Sequence, residues 1–214
     1  MNEYVKLNNI NLFREYGMRL TSFVIGTPSP EIKLIDVPGR PGKLDATLAL
    51  NGKVNLSTRK VSATFHIRNT DYSNWHILTS NLNKLFNGTD SKMIFSTDPD
   101  WYYKGRFSID SKKTNPITST ITISCNEAFP YKLEYVEQSE TVNTSANIHC
   151  IGKEYNGKIT IYSSTTMSVT FKGKTYQLST GNNIIREIHL SEGSNTLSFT
   201  GTGTVTISYE RGVQ

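Results

Sequence analysis

Val61-Ser-Ala-Thr-Phe-His-Ile-Arg68 alternates apolar and polar residues without a break. Val61, Ala63, Phe65 and Ile67 therefore share one face of a strand, and Ser62, Thr64, His66 and Arg68 share the other, wet face. Residues 117–125 repeat the pattern, with Ile121, Ile123 and Cys125 on one side and Thr120, Thr122 and Ser124 on the other. Between these strands lies the one convincing helix. Trp75, Leu78, Leu82 and Leu85 recur at three- and four-residue steps, Asp71 or Ser73 is placed to cap the start, and Asn87-Gly88 stops it. The spacing predicts a helix over about residues 74–86. An apolar stripe of this kind packs on a sheet, so residues 1–130 read as a mostly-β domain with one helix.

A boundary falls at Phe129-Pro130-Tyr131-Lys132. Short alternating stretches follow at Ile159/Ile161, Met167/Val169/Phe171, Tyr176/Leu178, Ile188/Leu190, Leu197/Phe199 and Val205/Ile207/Tyr209. Turn signals separate them: Asn156-Gly157, Lys172-Gly173, Gly181-Asn182-Asn183, Glu192-Gly193 and Gly201 to Gly203. Residues 131–214 are thus expected to form a small β-sandwich of jelly-roll or galectin-like type. The fold class is mainly β, in two domains, 1–130 and 131–214, with no fixed-period repeat between them.

Composition agrees. Of 214 residues, 67 are Ser, Thr or Asn, and with 11 Tyr and 9 Phe this favours strands and turns over long helices. The two cysteines, Cys125 and Cys150, cannot build a disulfide framework or a four-ligand zinc site, and two buried free thiols are favoured over a bridge. The first residues carry charges among the apolar ones and lack the apolar core of a signal peptide, so synthesis in the cytoplasm without export is expected. Phe23 to Gly26 is far too short to span a bilayer, and no membrane partner is implied. The net charge of +5 resides wholly in residues 1–130, with 16 Lys/Arg against 11 Asp/Glu, while residues 131–214 carry seven of each. That bias is too mild and too evenly spread to read as a nucleic-acid-binding stripe.

No reacting group stands out. Gly173-Lys174-Thr175 has the tail of a phosphate-binding loop, but Ser168 stands where its first glycine belongs, and the segment reads as a hairpin turn. Asp98 and Asp100 form a carboxylate pair near aromatic residues, as a glycosidase would need, yet Asp98-Pro99-Asp100 is better read as a turn. His66, His76, His149 and His189 have no second ligand at metal spacing, and His149 and Cys150 face opposite sides of a strand. We expect no enzyme activity, no cofactor and no metal.

Two segments carry more information. Asp36-Val-Pro-Gly-Arg-Pro-Gly-Lys-Leu-Asp45 holds two Pro-Gly pairs, each fitting the centre of a type II turn. Together they make a stiff loop that presents Arg40; taken alone it reads first as an ordinary hairpin connection, and it would also suit a repeated contact between subunits. Asp98-Pro-Asp-Trp-Tyr-Tyr-Lys-Gly-Arg-Phe-Ser108 clusters Trp101, Tyr102 and Tyr103 at a strand start, where Gly105 allows close approach. Three adjacent rings cannot all face one side of a strand, so at least one belongs at a surface or interface. The candidate interface residues are therefore Pro38, Gly39, Arg40, Gly42, Trp101, Tyr102, Tyr103, Gly105 and Arg106.

Taken in order, these residues resemble the distal tail proteins (Dit) of long-tailed phages and prophages, chiefly those of Gram-positive hosts. The resemblance is carried by Val37-Pro-Gly-Arg40 with Gly42 and Leu44, the Trp75–Leu85 helix, Tyr102-Tyr103-Lys-Gly105-Arg106, and Phe129-Pro-Tyr131-Lys132. The closing β domain adds Gly193-Ser-Asn195 and Tyr209-Glu-Arg-Gly212. Pro41 departs from it, standing where many relatives look acidic, and the second domain has no long insertion of the kind an added carbohydrate-binding module needs. The resemblance implies a homohexameric ring at the distal end of the tail tube in the virion. Its first domain would form the wall, with the tail tube on one face and a tail-associated lysin, fibre or receptor-binding protein on the other. Genomic DNA would pass through the lumen without specific binding, consistent with a lumen lined without strong positive charge. The rival reading is a carbohydrate-binding β-sandwich for host-surface attachment, using Tyr155, Tyr162 and Tyr176, which fall among alternating core positions.

Overall fold

The alternation around Val61 becomes a central strand of a four-stranded sheet in the computed structural model, which describes residues 3–49, 52–68, 72–113 and 118–214. The chain divides into two compact units, Met1–Pro130 and Tyr131–Gln214. The strands of the first are β1 (Val5–Leu7), β2 (Ile10–Asn11), β3 (Arg19–Ile25), β4 (Leu34–Ile35), β5 (Leu44–Asp45), β6 (Arg59–Arg68), β7 (Asp90–Phe95), β8 (Tyr103–Arg106), β9 (Ser108–Lys113) and β10 (Thr118–Ala128). Its helices are α1 (Leu12–Tyr16) and α2 (Tyr72–Phe86). One sheet has the order β2-β1-β7-β8 and the other β3-β6-β10-β9, with β4-β5 a separate two-stranded ladder. Register explains the core. Phe65 lies opposite Ile121 and Ala63 opposite Ile123, so the two alternating stretches turn the same residues inward to meet Val5, Leu7, Met93 and Phe95 of the other sheet.

The helix runs as the spacing predicts, but its inner stripe differs by one residue. Trp75, Leu82 and Phe86 are buried and Leu78 is half-buried, whereas Leu85 is 45% exposed. At 100° per residue Phe86 falls about 20° from the Trp75 direction and Leu85 about 80°. Asp71, the alternative cap, lies outside the described residues, and Ser73 falls in the first turn of α2. The short helix α1 was not expected. Asn11 caps it, its Oδ1 accepting from the Phe13 and Arg14 amides at 3.1 Å each, and Gly17 (φ 65°) closes it with its amide on the Phe13 carbonyl.

The second unit is a sandwich of two antiparallel sheets built from β11 (Lys132–Val142), β12 (Ser145–Gly152), β13 (Tyr155–Asn156), β14 (Thr160–Ser163), β15 (Met167–Phe171), β16 (Lys174–Leu178), β17 (Gly181–Asn183), β18 (Gly193–Thr200) and β19 (Gly203–Val213). One sheet has the order β11-β19-β14-β17 with β13 also on β19, and the other β12-β18-β15-β16. Val169, Leu197, Phe199, Val205, Ile207 and Tyr209 fill the core between them. Lys172-Gly173 is the expected hairpin turn, with φ of 48° and 79°.

Two expectations fail here. Ile188 and Leu190 form no strand, although both are buried in the core from an irregular segment. Gly181-Asn182-Asn183 is not a turn but β17. The reason is a device that sequence spacing conceals: Ser179-x-Gly181-x-Asn183 and Ser191-x-Gly193-x-Asn195 fold alike. In each, the asparagine Oδ1 accepts from the serine amide at 2.9 Å. Its Nδ2 donates to the serine carbonyl (2.8 and 2.7 Å) and to the glycine carbonyl (2.9 and 3.0 Å). Each asparagine thus satisfies backbone groups that the neighbouring strands leave unpaired.

Beside Asn195 lies Cys150, fully buried, its thiol pushed up by burial to about 11 from 9.0. Burial also raises Tyr155 and Tyr209. The unfolded chain releases such protons at lower pH than the folded one, so stability is intact below pH 9.0 and falls as pH climbs toward 11. Cys150 alone accounts for roughly 2 kcal/mol of that loss. Urea midpoints at pH ~8 and ~10.5 are expected to drop less for Cys150→Ala than for the native chain; equal drops would refute this.

Candidate interaction surface

β3 and β6 are antiparallel neighbours, yet residues 26–58 separate them. A connection this long inside a small domain is usually functional. Its foot is tied down: the Gly26 amide donates to the Lys60 carbonyl (2.7 Å), the Ser57 amide to Ser29 (2.8 Å) and the Glu31 amide to Asn55 (2.8 Å). Further out the Lys33 amide donates to Thr47 Oγ1 (3.1 Å), and Leu34 pairs with Asp45 and Ile35 with Leu44. The Asp45 carboxylate accepts from the Thr47 amide (2.9 Å), and its hydrogen bonds with Thr47 lower its pKa. The tip is the double Pro-Gly loop. The Arg40 amide donates to the Val37 carbonyl (3.2 Å), and Gly39 and Gly42 take φ of 78° and 80°, as type II turns require.

Every residue from 31 to 45 is exposed, Pro38, Gly39, Arg40 and Gly42 among them. Six are large and apolar or follow closely on the same arm: Ile32 (67% exposed), Leu34, Ile35, Val37, Leu44 and Leu48. Scattered apolar residues on a surface are ordinary, but this many on one hairpin make it a candidate interaction site. Asp36 and Lys43 flank the tip as an exposed ion pair at 3.6 Å.

The aromatic ribbon behaves differently. Tyr102 and Tyr103 are 5% and 7% exposed and belong to the unit's own packing, with Tyr103 edge-on to Phe95 at 5.9 Å. Trp101 is the half-buried ring of the three. Gly105 is needed inside the subunit: a Cβ there would stand 2.7 Å from Cys125 Sγ and 3.1 Å from Ala128 Cα. Arg106 is exposed but donates from Nη1 to the Gly88 carbonyl at 2.9 Å, just past the end of α2. Sequence reasoning missed Arg59, which is buried at the foot of the arm with its guanidinium over the Tyr103 ring at 5.6 Å and an Nε that finds no acceptor. Burial lowers its pKa, and Tyr103 partly offsets this.

Among the described residues no group of three or more His, Cys, Asp or Glu could hold a metal ion, and no helix is long and apolar enough to cross a membrane. Asp98-Pro99-Asp100 forms successive turns, the Asp98 amide on Phe95 and the Trp101 amide on Asp98. Both cysteines are buried and free.

The outstanding surface of the first unit is this apolar arm, and comparison with known proteins specifies the class. Residues 8–125 match the family described as the phage tail protein RIFT-related domain, and the chain belongs to that family. Compared by sequence with curated proteins, it has no match. Among solved structures it is similar to the SPP1 Dit protein, described as a paradigm of the hub adsorption apparatus in phages infecting Gram-positive hosts. The TM-score is 0.61 and the identity 16%, over 97% of this chain and 98% of that one. It is also similar to a chain of the phage p2 baseplate in its activated, strontium-bound conformation, with a TM-score of 0.57 and 8% identity over 98% of both. The fold of this phage tail protein is thus that of a distal tail protein along nearly its whole length.

Proposed function

We propose that this chain is a non-catalytic hub of a long phage tail, forming a hexameric ring at the tail's distal end. In that ring the arm of one copy lies on the next, the tail tube docks on one face and a tail-associated lysin, fibre or receptor-binding protein on the other. Genomic DNA crosses the lumen without specific binding. The observation that carries the reading is the arm itself: ordered by its own hydrogen bonds, yet with Ile32, Leu34, Ile35 and Val37 left in solvent. A head-to-tail ring needs two different complementary patches on each subunit, and a projecting hairpin meeting a neighbour's surface supplies them. Light scattering with negative-stain imaging tests it. Six copies of a 24.0 kDa chain weigh about 144 kDa. A monomer that stays single at high concentration and with the tail tube protein present would refute it.

The two arginines separate the structural from the associative. Arg40→Ala is expected to leave the melting temperature unchanged and weaken assembly, because its side chain is exposed at the arm tip. Arg106→Ala is expected to cost about 1 kcal/mol through the lost bond to Gly88 and to leave assembly intact.

One observation favours the carbohydrate reading as a second choice. Tyr162 is exposed and Tyr155 half-buried, so these two are not the core residues their positions suggested, whereas Tyr176 packs against the core. Tyr135 and Tyr155 line a groove of about 400 Å³ with Lys158, Thr160, Ser208 and Glu210. A 24.0 kDa monomer that binds glycans would support this reading over the ring.

A further inference from the structure

Residues 184–190 leave β17 as irregular backbone, yet they are fixed at both ends. Asn183 holds Ser179 and Gly181 before them, and Asn195 holds Ser191 behind them. Between those brackets the Ile188 amide donates to the Ile185 carbonyl (3.2 Å), and Ile188 and Leu190 are buried in the core. The segment folds against Lys158 and Ile159, just before β14, and the two enclose a pocket of about 260 Å³. Ile159 and Ile188, both buried, and the half-buried Ile185 form its floor. Ile184 stands beside them at 60% exposure and belongs to no core cluster. Lys158, Arg186 and His189, all exposed, complete the lining. Among the described residues none of these three side chains makes an ion pair or a hydrogen bond. Glu187 of the same turn is outside the lining, and Glu210 borders the neighbouring groove rather than this pocket.

We propose that this pocket receives one apolar side chain of a partner protein, on a segment whose flanking carboxylates meet Lys158 and Arg186. Size, lining and charge each narrow the chemistry. At about 260 Å³ the pocket falls below the roughly 300–1,000 Å³ of sites that enclose a whole small ligand, and it suits a single anchor residue. Its walls are aliphatic, whereas a sugar stacks on aromatic carbon rings, which the lining lacks. Two permanent cations with no acid of their own favour carboxylates beside the anchor. Because the segment is pinned at both ends, the pocket is formed before a partner arrives, and binding adds little ordering cost. The site belongs to the second unit alone, so the inference holds whether or not six copies close into a ring.

The test uses the full chain, isotope-labelled at its isoleucine δ1 methyl groups, titrated with the peptide Gly-Asp-Asp-Phe-Asp-Asp-Gly and followed by methyl NMR. The Ile159, Ile184, Ile185 and Ile188 signals are expected to move together, and those of Ile121 and Ile123 in the other unit to stay in place. Lys158→Glu/Arg186→Glu is compared with Lys84→Glu/Lys174→Glu, which changes net charge equally at exposed lysines outside the pocket. The pocket variant is expected to weaken binding at least about tenfold and the control less than about twofold. Alanine in place of the peptide's phenylalanine is also expected to cost about tenfold. If the pocket variant does not fold, Ile184→Asp is expected to weaken binding about tenfold at unchanged melting temperature, since that side chain is mostly in solvent. An unshifted native chain, equal weakening by both double variants, undiminished binding of the alanine peptide, or tighter binding of decanoate than of the peptide would each overturn the proposal.

Discussion

Ile32→Asp combined with Leu34→Asp is expected to give a soluble, folded chain that stays a 24.0 kDa monomer at concentrations where the native chain assembles. Both side chains are more than half exposed, and neither belongs to the core of its own subunit. Their removal should leave the melting temperature unchanged within about 1 °C. In an assembly each would be covered, and replacing buried apolar surface by a carboxylate loses the transfer free energy and adds a desolvation cost. Together these come to roughly 3 kcal/mol or more at each interface, a weakening beyond about a hundredfold. Analytical ultracentrifugation reads the outcome. Rings of unaltered stability would show that the arm is not the contact, and the proposed hub would then need another surface.

The second large effect is internal. Gly152→Ala places a Cβ 2.1 Å from the Ser191 carbonyl oxygen. That oxygen cannot retreat, because Asn195 Nδ2 holds it at 2.7 Å while Asn195 Oδ1 holds the Ser191 amide at 2.9 Å. Gly152 is itself registered opposite Gly193 in the β12-β18 ladder. The substitution must therefore open either the ladder or the asparagine bracket, and about 3 kcal/mol or more of destabilisation follows. Gly173→Ala is the contrast. Unlike Gly152 it occupies a positive φ, of 79°, but its Cβ would meet nothing within 4 Å. Only the backbone preference is lost, about 1 kcal/mol. Chemical denaturation of both variants checks the difference. Near-equal losses would mean that the Ser191 loop yields more readily than its hydrogen bonds indicate.

Local pattern and long-range arrangement were not equally legible. Strands with one buried face announce themselves, as Val61–Ile67 and Ile121–Cys125 do, because period two follows from the pleat alone. The 131–214 core strands were readable for the same reason, and so was the Lys172-Gly173 hairpin. In β12, Ala146, Ile148 and Cys150 alternate and offered the same signal. The edge strand β11 offered less, since Tyr135, Glu137 and Ser139 on one side and Glu134, Gln138 and Glu140 on the other are mostly polar. Ile188 and Leu190 show the opposite error, an alternating pair that reaches the core from irregular backbone held by hydrogen bonds no periodicity encodes.

The arm and the aromatic ribbon mark the same division at the surface. The double Pro-Gly loop was readable because proline fixes φ and glycine permits its positive value, a property of the five consecutive residues Pro38 to Gly42. Whether Tyr102 and Tyr103 face a partner or the subunit's own interior depends on which strands surround them, and here Phe95, Arg59 and Lys92 close over them. Lys158 and Arg186 reach one pocket only when residues 184–190 fold back against Ile159. From its sequence alone this protein's mainly-β class, its two-part division and its stiff exposed turn were determined, because each follows from residues close in the chain. Burial of the tyrosines, the asparagine brackets and the isoleucine pocket were decided by tertiary structure, because each depends on a neighbour that only folding supplies.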